Sequence, residues 1–116
     1  MSGTVCTPGH SAVVIDFTAV LNATVTVDEI NATMRELADG AMKGILAYTE
    51  EPLVSIDLKG NTNSSIFSAL ETLVIGGSLV KVCSWYDNEW GYACRIGDLA
   101  ALVGSKLREA APAARA

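Results

Sequence analysis

Hydrophobic and polar positions alternate or recur along most of the chain, and the period changes several times. Residues 12–21 (AVVIDFTAVL) are β-branched and aromatic, with Val13, Ile15 and Phe17 on one side and Val14, Asp16 and Thr18 on the other, which predicts a strand. Asn22 to Thr24 breaks it. A helix follows, opened by Thr26 and Glu29 as a capping box, with Asp28 and Glu29 in the positive first turn. Ile30, Met34, Leu37 and Ala38 form its apolar face, and Gly40 is its expected stop. Gly44 to Thr49 and Leu53 to Leu58 read as two further strands separated by Glu50, Glu51 and Pro52, and residues 59–64 (KGNTNS) read as a polar loop. Residues 65–70 are open between a short strand and a helical turn. Leu73–Ile75 and Leu79–Tyr86 flank Gly76, Gly77 and Ser78, a hairpin signal because paired glycines accept positive φ. Both faces of the second arm are apolar, as expected of an interior strand. Tyr92, Ile96, Leu99, Val103 and Leu107 then repeat at helical spacing, predicting a helix from about Trp90 to Glu109.

These elements specify an α+β layer: a mostly antiparallel sheet with two helices packed on one face. With 116 residues the chain has room for one core, so residues 1–109 are read as a single domain and 110–116 as a frayed tail. The opening at Met1 and the alanine-rich end lead to the expectation of a complete product.

Charge narrows the possible partners. Eight basic and thirteen acidic residues give a net charge of -5, which disfavours nucleic acid and anionic membranes as partners, since phosphates call for a basic surface. No apolar run approaches the roughly 18 residues that span a bilayer, and the first residues do not have the pattern of a signal peptide. Three scattered cysteines (Cys6, Cys83 and Cys94) without a CxxC, and one histidine, argue against a disulfide framework and a metal site. A cytoplasmic location with reduced thiols is the expectation.

Residues 81–92, KVCSWYDNEWGY, are the most informative. They resemble the closing signature of phosphorylating glyceraldehyde-3-phosphate dehydrogenases, SWYDNE-x-GY. The resemblance continues through the GxLxYTE motif at Gly44 to Glu50, through NSSIFSAL, and through TPGHSAVVIDFT, so that it runs from about Val5 to Val103. It implies that family's C-terminal catalytic-domain fold. It also implies two ligand contacts: Asn88 matches the asparagine that hydrogen-bonds the nicotinamide carboxamide, and Tyr92 the tyrosine near the nicotinamide ring. The family's SCTTN nucleophile motif, its catalytic histidine, its Gly-rich nucleotide loop and the arginine before the TP strand have no counterpart here. No cofactor is therefore expected, and no autonomous NAD-dependent dehydrogenase activity.

Tyr86, Asn88 and Tyr92 are the candidate ligand-binding residues, an amide beside aromatic rings. Candidate catalytic residues are His10, Asp87, Glu89 and Cys94. Asp87 and Glu89 beside Trp85, Tyr86, Trp90 and Tyr92 read either as an acid-base pair in an apolar setting or as a helix cap, and capping explains most such carboxylates. His10 titrates near neutrality but reads first as a solvated loop residue, and Cys94 sits where a helix dipole lowers a thiol pKa. Lys81 and Arg95 read as isolated cations that pair with Asp or Glu.

Two functions follow from these residues. In the first, the chain is a dehydrogenase-derived domain repurposed to bind a small molecule, with cofactor-free isomerisation or cyclisation in a biosynthetic pathway as its chemistry. In the second, it is a structural or oligomerisation module, or one piece of a split dehydrogenase. Exposed sheet edges and apolar surface lead to the expectation of a homodimer or larger homo-oligomer.

Overall fold

A computed structural model describes residues 2–5, 12–53 and 55–111. Five strands form one sheet in the order β1-β2-β5-β4-β3, with β1 at Ser2–Val5, β2 at Ala12–Val20, β3 at Leu46–Thr49, β4 at Ser65–Ile75 and β5 at Leu79–Asp87. All neighbours are antiparallel except β3 and β4. Two helices, α1 at Val27–Asp39 and α2 at Trp90–Ala110, complete the α+β architecture expected from the sequence.

α1 begins where its cap residues require. Thr26 Oγ1 accepts the Glu29 amide at 3.2 Å, and Glu29 Oε2 accepts the Thr26 amide at 2.8 Å, closing the capping box. Thr26→Ala removes one half of that exchange and is expected to lower stability by about 1 kcal/mol in urea denaturation, without altering the spectrum of the folded state. The apolar stripe of α1 covers one face of the sheet: Ile30, Met34 and Leu37 pack against a core of Ala38, Leu46, Phe67 and Ala69. Asn31 does further work there. Its amide nitrogen donates to the Ala69 carbonyl at 3.2 Å, and its Oδ1 accepts from the Thr72 hydroxyl at 2.8 Å. Those partners lie where the β4–β5 register shifts between Ser68 and Leu73, so the helix gives the Ala69 carbonyl a donor within the irregular stretch and the Thr72 hydroxyl an acceptor.

Residues 53–58 depart from the sequence expectation. The described residues among them form no strand; Ser55–Leu58 is a short 3-10 helix within the β3-to-β4 connection. Parallel neighbours need a crossover, and this one runs over the opposite sheet face. Leu53 and Leu58 fill that face against Ala12, Ala47, Ile66 and Trp85. Leu53 and Leu58 thus serve as a plug and not as ladder residues. β1 is the other difference, an edge strand pairing Ser2–Val5 with Val14–Phe17 that the short polar segment did not announce. Residues 65–70, open in sequence, belong to β4. The hairpin after β4 turns at Gly76 and Gly77, both with positive φ, and a Cβ at Gly77 would come within 2.7 Å of Thr24.

α2 leaves the sheet after its first turns. Its buried residue is Gly91, whereas Tyr92, Ile96, Leu99, Val103 and Leu107 remain 49–70% exposed. The sheet does not cover the stripe that predicted the helix.

Candidate ligand site at the start of the last helix

The site lies where β5 ends and α2 begins. Asp87 is 3% exposed and holds this junction together. One carboxylate oxygen, Oδ1, accepts the amides of Glu89 at 3.0 Å and Trp90 at 2.9 Å; the other, Oδ2, accepts the Gly60 amide at 2.8 Å. The side chain therefore satisfies two orphan donors at the helix start and ties the helix to the crossover loop. Burial alone pushes its pKa up, but the amides of Gly60, Trp90 and Glu89, together with the charge of Lys59, outweigh burial and hold it below the ordinary carboxylate value. A carboxylate in this state keeps its charge and is a poor general acid. Glu89, the formal cap residue, makes no side-chain cap bond, so the capping expected of the pair belongs to Asp87.

Gly91 lets the first turn of α2 approach the loop, since a Cβ there would stand 3.1 Å from the Asn63 carbonyl oxygen. One turn later Arg95 fixes the helix from the other side. Its guanidinium donates to the carbonyls of Gly44 at 2.8 Å and Thr62 at 3.2 Å, and pairs with Asp98 at 3.1 Å. Lys81 pairs with Asp16 at 2.9 Å; that both cations form ion pairs was expected from sequence, without their partners. The two carbonyl contacts were not, because they join positions 51 and 33 residues apart and leave no sequence signal.

Between these anchors opens a cleft of about 460 Å³, lined by Ser64, Tyr86, Asp87, Asn88, Gly91, Tyr92 and Arg95. The structure thus brings together Tyr86, Asn88 and Tyr92, and none of the three side chains makes a hydrogen bond among the described residues. Their amide and phenol groups are available to a ligand. The candidate catalytic residues are not assembled in the same way. Asp87 lies at the base, already engaged. Glu89 lines a second cleft of about 370 Å³ on the far side of Asp87, with Lys59, Gly60, Trp90 and Ala93. Cys94 is a half-buried free thiol that lines neither cleft. Cys83 is buried in β5, and burial first, then Glu71, pushes its thiol up to about 11. His10 and Cys6 lie outside the described residues. Among the described residues no group of three or more His, Cys, Asp or Glu side chains could hold a metal ion, and no helix is long and apolar enough to cross a membrane.

Residues 1–88 match the family described as the C-terminal domain of glyceraldehyde 3-phosphate dehydrogenase. The chain belongs to that family. Similar full-length proteins include glyceraldehyde-3-phosphate dehydrogenase 1 of Bacillus subtilis, 52% identical over 104 residues that make up 90% of this chain and 31% of the relative. The glyceraldehyde-3-phosphate dehydrogenase of Geobacillus stearothermophilus is 55% identical over 85% of this chain and 30% of its own length. The cytosolic enzyme 3 of Zea mays is 50% identical over 74% of this chain and 26% of its own. The chain therefore spans about a third or less of the dehydrogenases it matches. Of NAD, the cofactor of the resemblance, the cleft suits one end. Asn88 and Tyr92 present a donor-acceptor edge and a ring to a planar amide, while the sequence holds no GxGxxG to cradle a pyrophosphate.

Proposed function

We propose that this dehydrogenase-type domain binds a small planar molecule with a carboxamide-like edge in the cleft formed by Tyr86, Asn88 and Tyr92. The convergence of three unengaged polar side chains on one cavity at the root of α2 carries the reading. An asparagine amide offers both a donor and an acceptor, and flanking rings accept a flat ligand. A cleft this open, engaging a molecule of about ten heavy atoms, corresponds to a dissociation constant on the order of millimolar. Nicotinamide is the direct probe. Titration followed by tyrosine and tryptophan fluorescence, or by amide shifts of residues 86–92, is expected to saturate; Asn88→Ala and Tyr92→Ala are each expected to weaken binding about tenfold or more while leaving the fold unchanged. Unaltered spectra at high nicotinamide concentration would overturn the reading.

Cofactor-free isomerisation or cyclisation needs a proton carrier as well as a pocket. Asp87 is unsuited to that task because three amides hold it ionised. Binding is therefore the function carried forward. No turnover of glyceraldehyde 3-phosphate with NAD is expected from the isolated chain, since it carries no SCTTN segment.

A second reading, that the domain is an interaction module or one piece of a divided dehydrogenase, is favoured by a different observation. The apolar stripe of α2 is bare, and the relatives are about three times longer. Self-association to a dimer or larger oligomer belongs to this reading and is checked by sedimentation at micromolar concentration.

A further inference from the structure

The bare stripe of α2 has a register that selects a partner. Assigning Ile96 and Val103 to a positions of a heptad places Tyr92, Leu99 and Lys106 at d and Glu89 at the preceding a. In an antiparallel helix pair, a residues of one helix face d residues of the other. Pairing two copies of α2 with Ile96 opposite Leu99 then sets Tyr92 opposite Val103, and Lys106 opposite Glu89. Because the pairing is self-complementary, every contact occurs twice about a twofold axis. Each end of the interface sets Lys106, which in the single chain pairs with Glu109 at 3.0 Å, opposite a second carboxylate, Glu89, and the helix dipoles oppose one another. A parallel pair would instead stack Lys106 on Lys106.

The size of the surface agrees. Tyr92, Ile96, Leu99, Leu102, Val103 and Leu107 are 49–70% exposed, on the order of 600 Å² of side-chain surface per helix, so a pair would bury about 1,200 Å², the lower end of the range for specific interfaces. The face is open from root to tip, since Tyr92 in the first turn is itself among the most exposed. We infer that this chain forms an antiparallel homodimer through α2, with Ile96 and Leu99 at its centre and Glu89–Lys106 pairs at its ends. The inference rests on the interaction-module reading and names its partner as a second copy. Tyr92 belongs to both surfaces, so the dimer would also wall the outer side of the ligand cleft.

The test uses the full chain in sedimentation equilibrium at micromolar concentration. The wild type is expected to fit a monomer–dimer equilibrium. Ile96→Asp with Leu99→Asp, at positions already half exposed in the single chain, is expected to raise the dimer dissociation constant about a hundredfold or more while the circular dichroism spectrum of the folded chain stays unchanged and its melting loses the concentration dependence of the wild type. Lys106→Glu and Glu89→Lys alone are each expected to weaken the dimer by several-fold, about threefold to tenfold, and the two together to restore it, which a parallel pair would not allow. A dimer unaffected by the aspartate pair, or a charge swap that fails to restore it, overturns the α2 geometry and leaves the module reading standing. A wild type that stays monomeric overturns both the pairing and self-association.

Discussion

Asp87→Ala is expected to lower the free energy of unfolding by about 3–4 kcal/mol, a large share of the roughly 5–15 kcal/mol that keeps a domain folded. The reason is local and countable. The substitution strips the acceptor from three backbone amides, those of Gly60, Glu89 and Trp90. An amide left without a partner in a buried place costs about 1–3 kcal/mol, and water reaching the site through the neighbouring clefts recovers part of it. Asp87→Asn is expected to fall between wild type and alanine. Its carboxamide oxygen can serve Glu89 and Trp90, but its NH₂ would then face the Gly60 amide, donor against donor. Urea denaturation monitored at Trp85 and Trp90 gives the order. Equal stability of all three proteins would show that α2 is started by something other than this carboxylate.

The same residue sets an acid limit. The folded pKa of Asp87 lies below its ordinary value, so the unfolded chain binds the proton more readily. The stability it contributes is present above the unfolded pKa of about 3.9 and is lost as pH falls through the folded value. Stability profiles of wild type and Asp87→Asn should therefore converge in strong acid, separate as pH rises to the unfolded value of about 3.9, and run parallel above about pH 5.

The second large effect is expected at Phe67. It is 1% exposed, stands on β4 beneath α1, and stacks on Tyr48 with ring centroids 5.9 Å apart. Phe67→Ala should cost about 3–5 kcal/mol, through lost transfer energy and the cavity left under a rigid helix. Phe67→Leu should recover more than half of that loss, because it refills most of the volume. The readout is again the denaturation midpoint. A loss at Phe67→Ala no larger than that of Thr26→Ala would mean that α1 does not depend on this face of the sheet.

Much of this architecture was legible in the chain. β2, α1, the glycine turn and α2 follow from periodicity and capping, because each is determined by residues within a few positions of one another: Thr26 with Glu29, Gly76 with Gly77, and the stripe from Tyr92 to Leu107. Asn88 and Tyr92 were nameable for another reason, because the motif they stand in resembles that of the dehydrogenases, and the structure sets them on one cleft with Tyr86. What failed was every inference that needed a distant partner. LVSIDL had the alternation of a strand, yet Ser55–Leu58 turns as a 3-10 helix because a crossover must pass over that face and Leu58 finds its burial there. Asn31 looked like one more helix residue until the irregular stretch of β4 supplied its partners.

The sequence by itself determined the α+β class and the capping box, since local periodicity and local hydrogen bonding are written in neighbouring residues, and its motifs determined the family. Only the tertiary structure decided that Asp87 is a structural anchor, that Glu89 and Cys94 stand away from the ligand cleft, and that the stripe of α2 lies bare. Amphipathic spacing states that a helix has a face to cover. What covers that face depends on the chain's path through space, and along α2 that path carries the helix off the sheet.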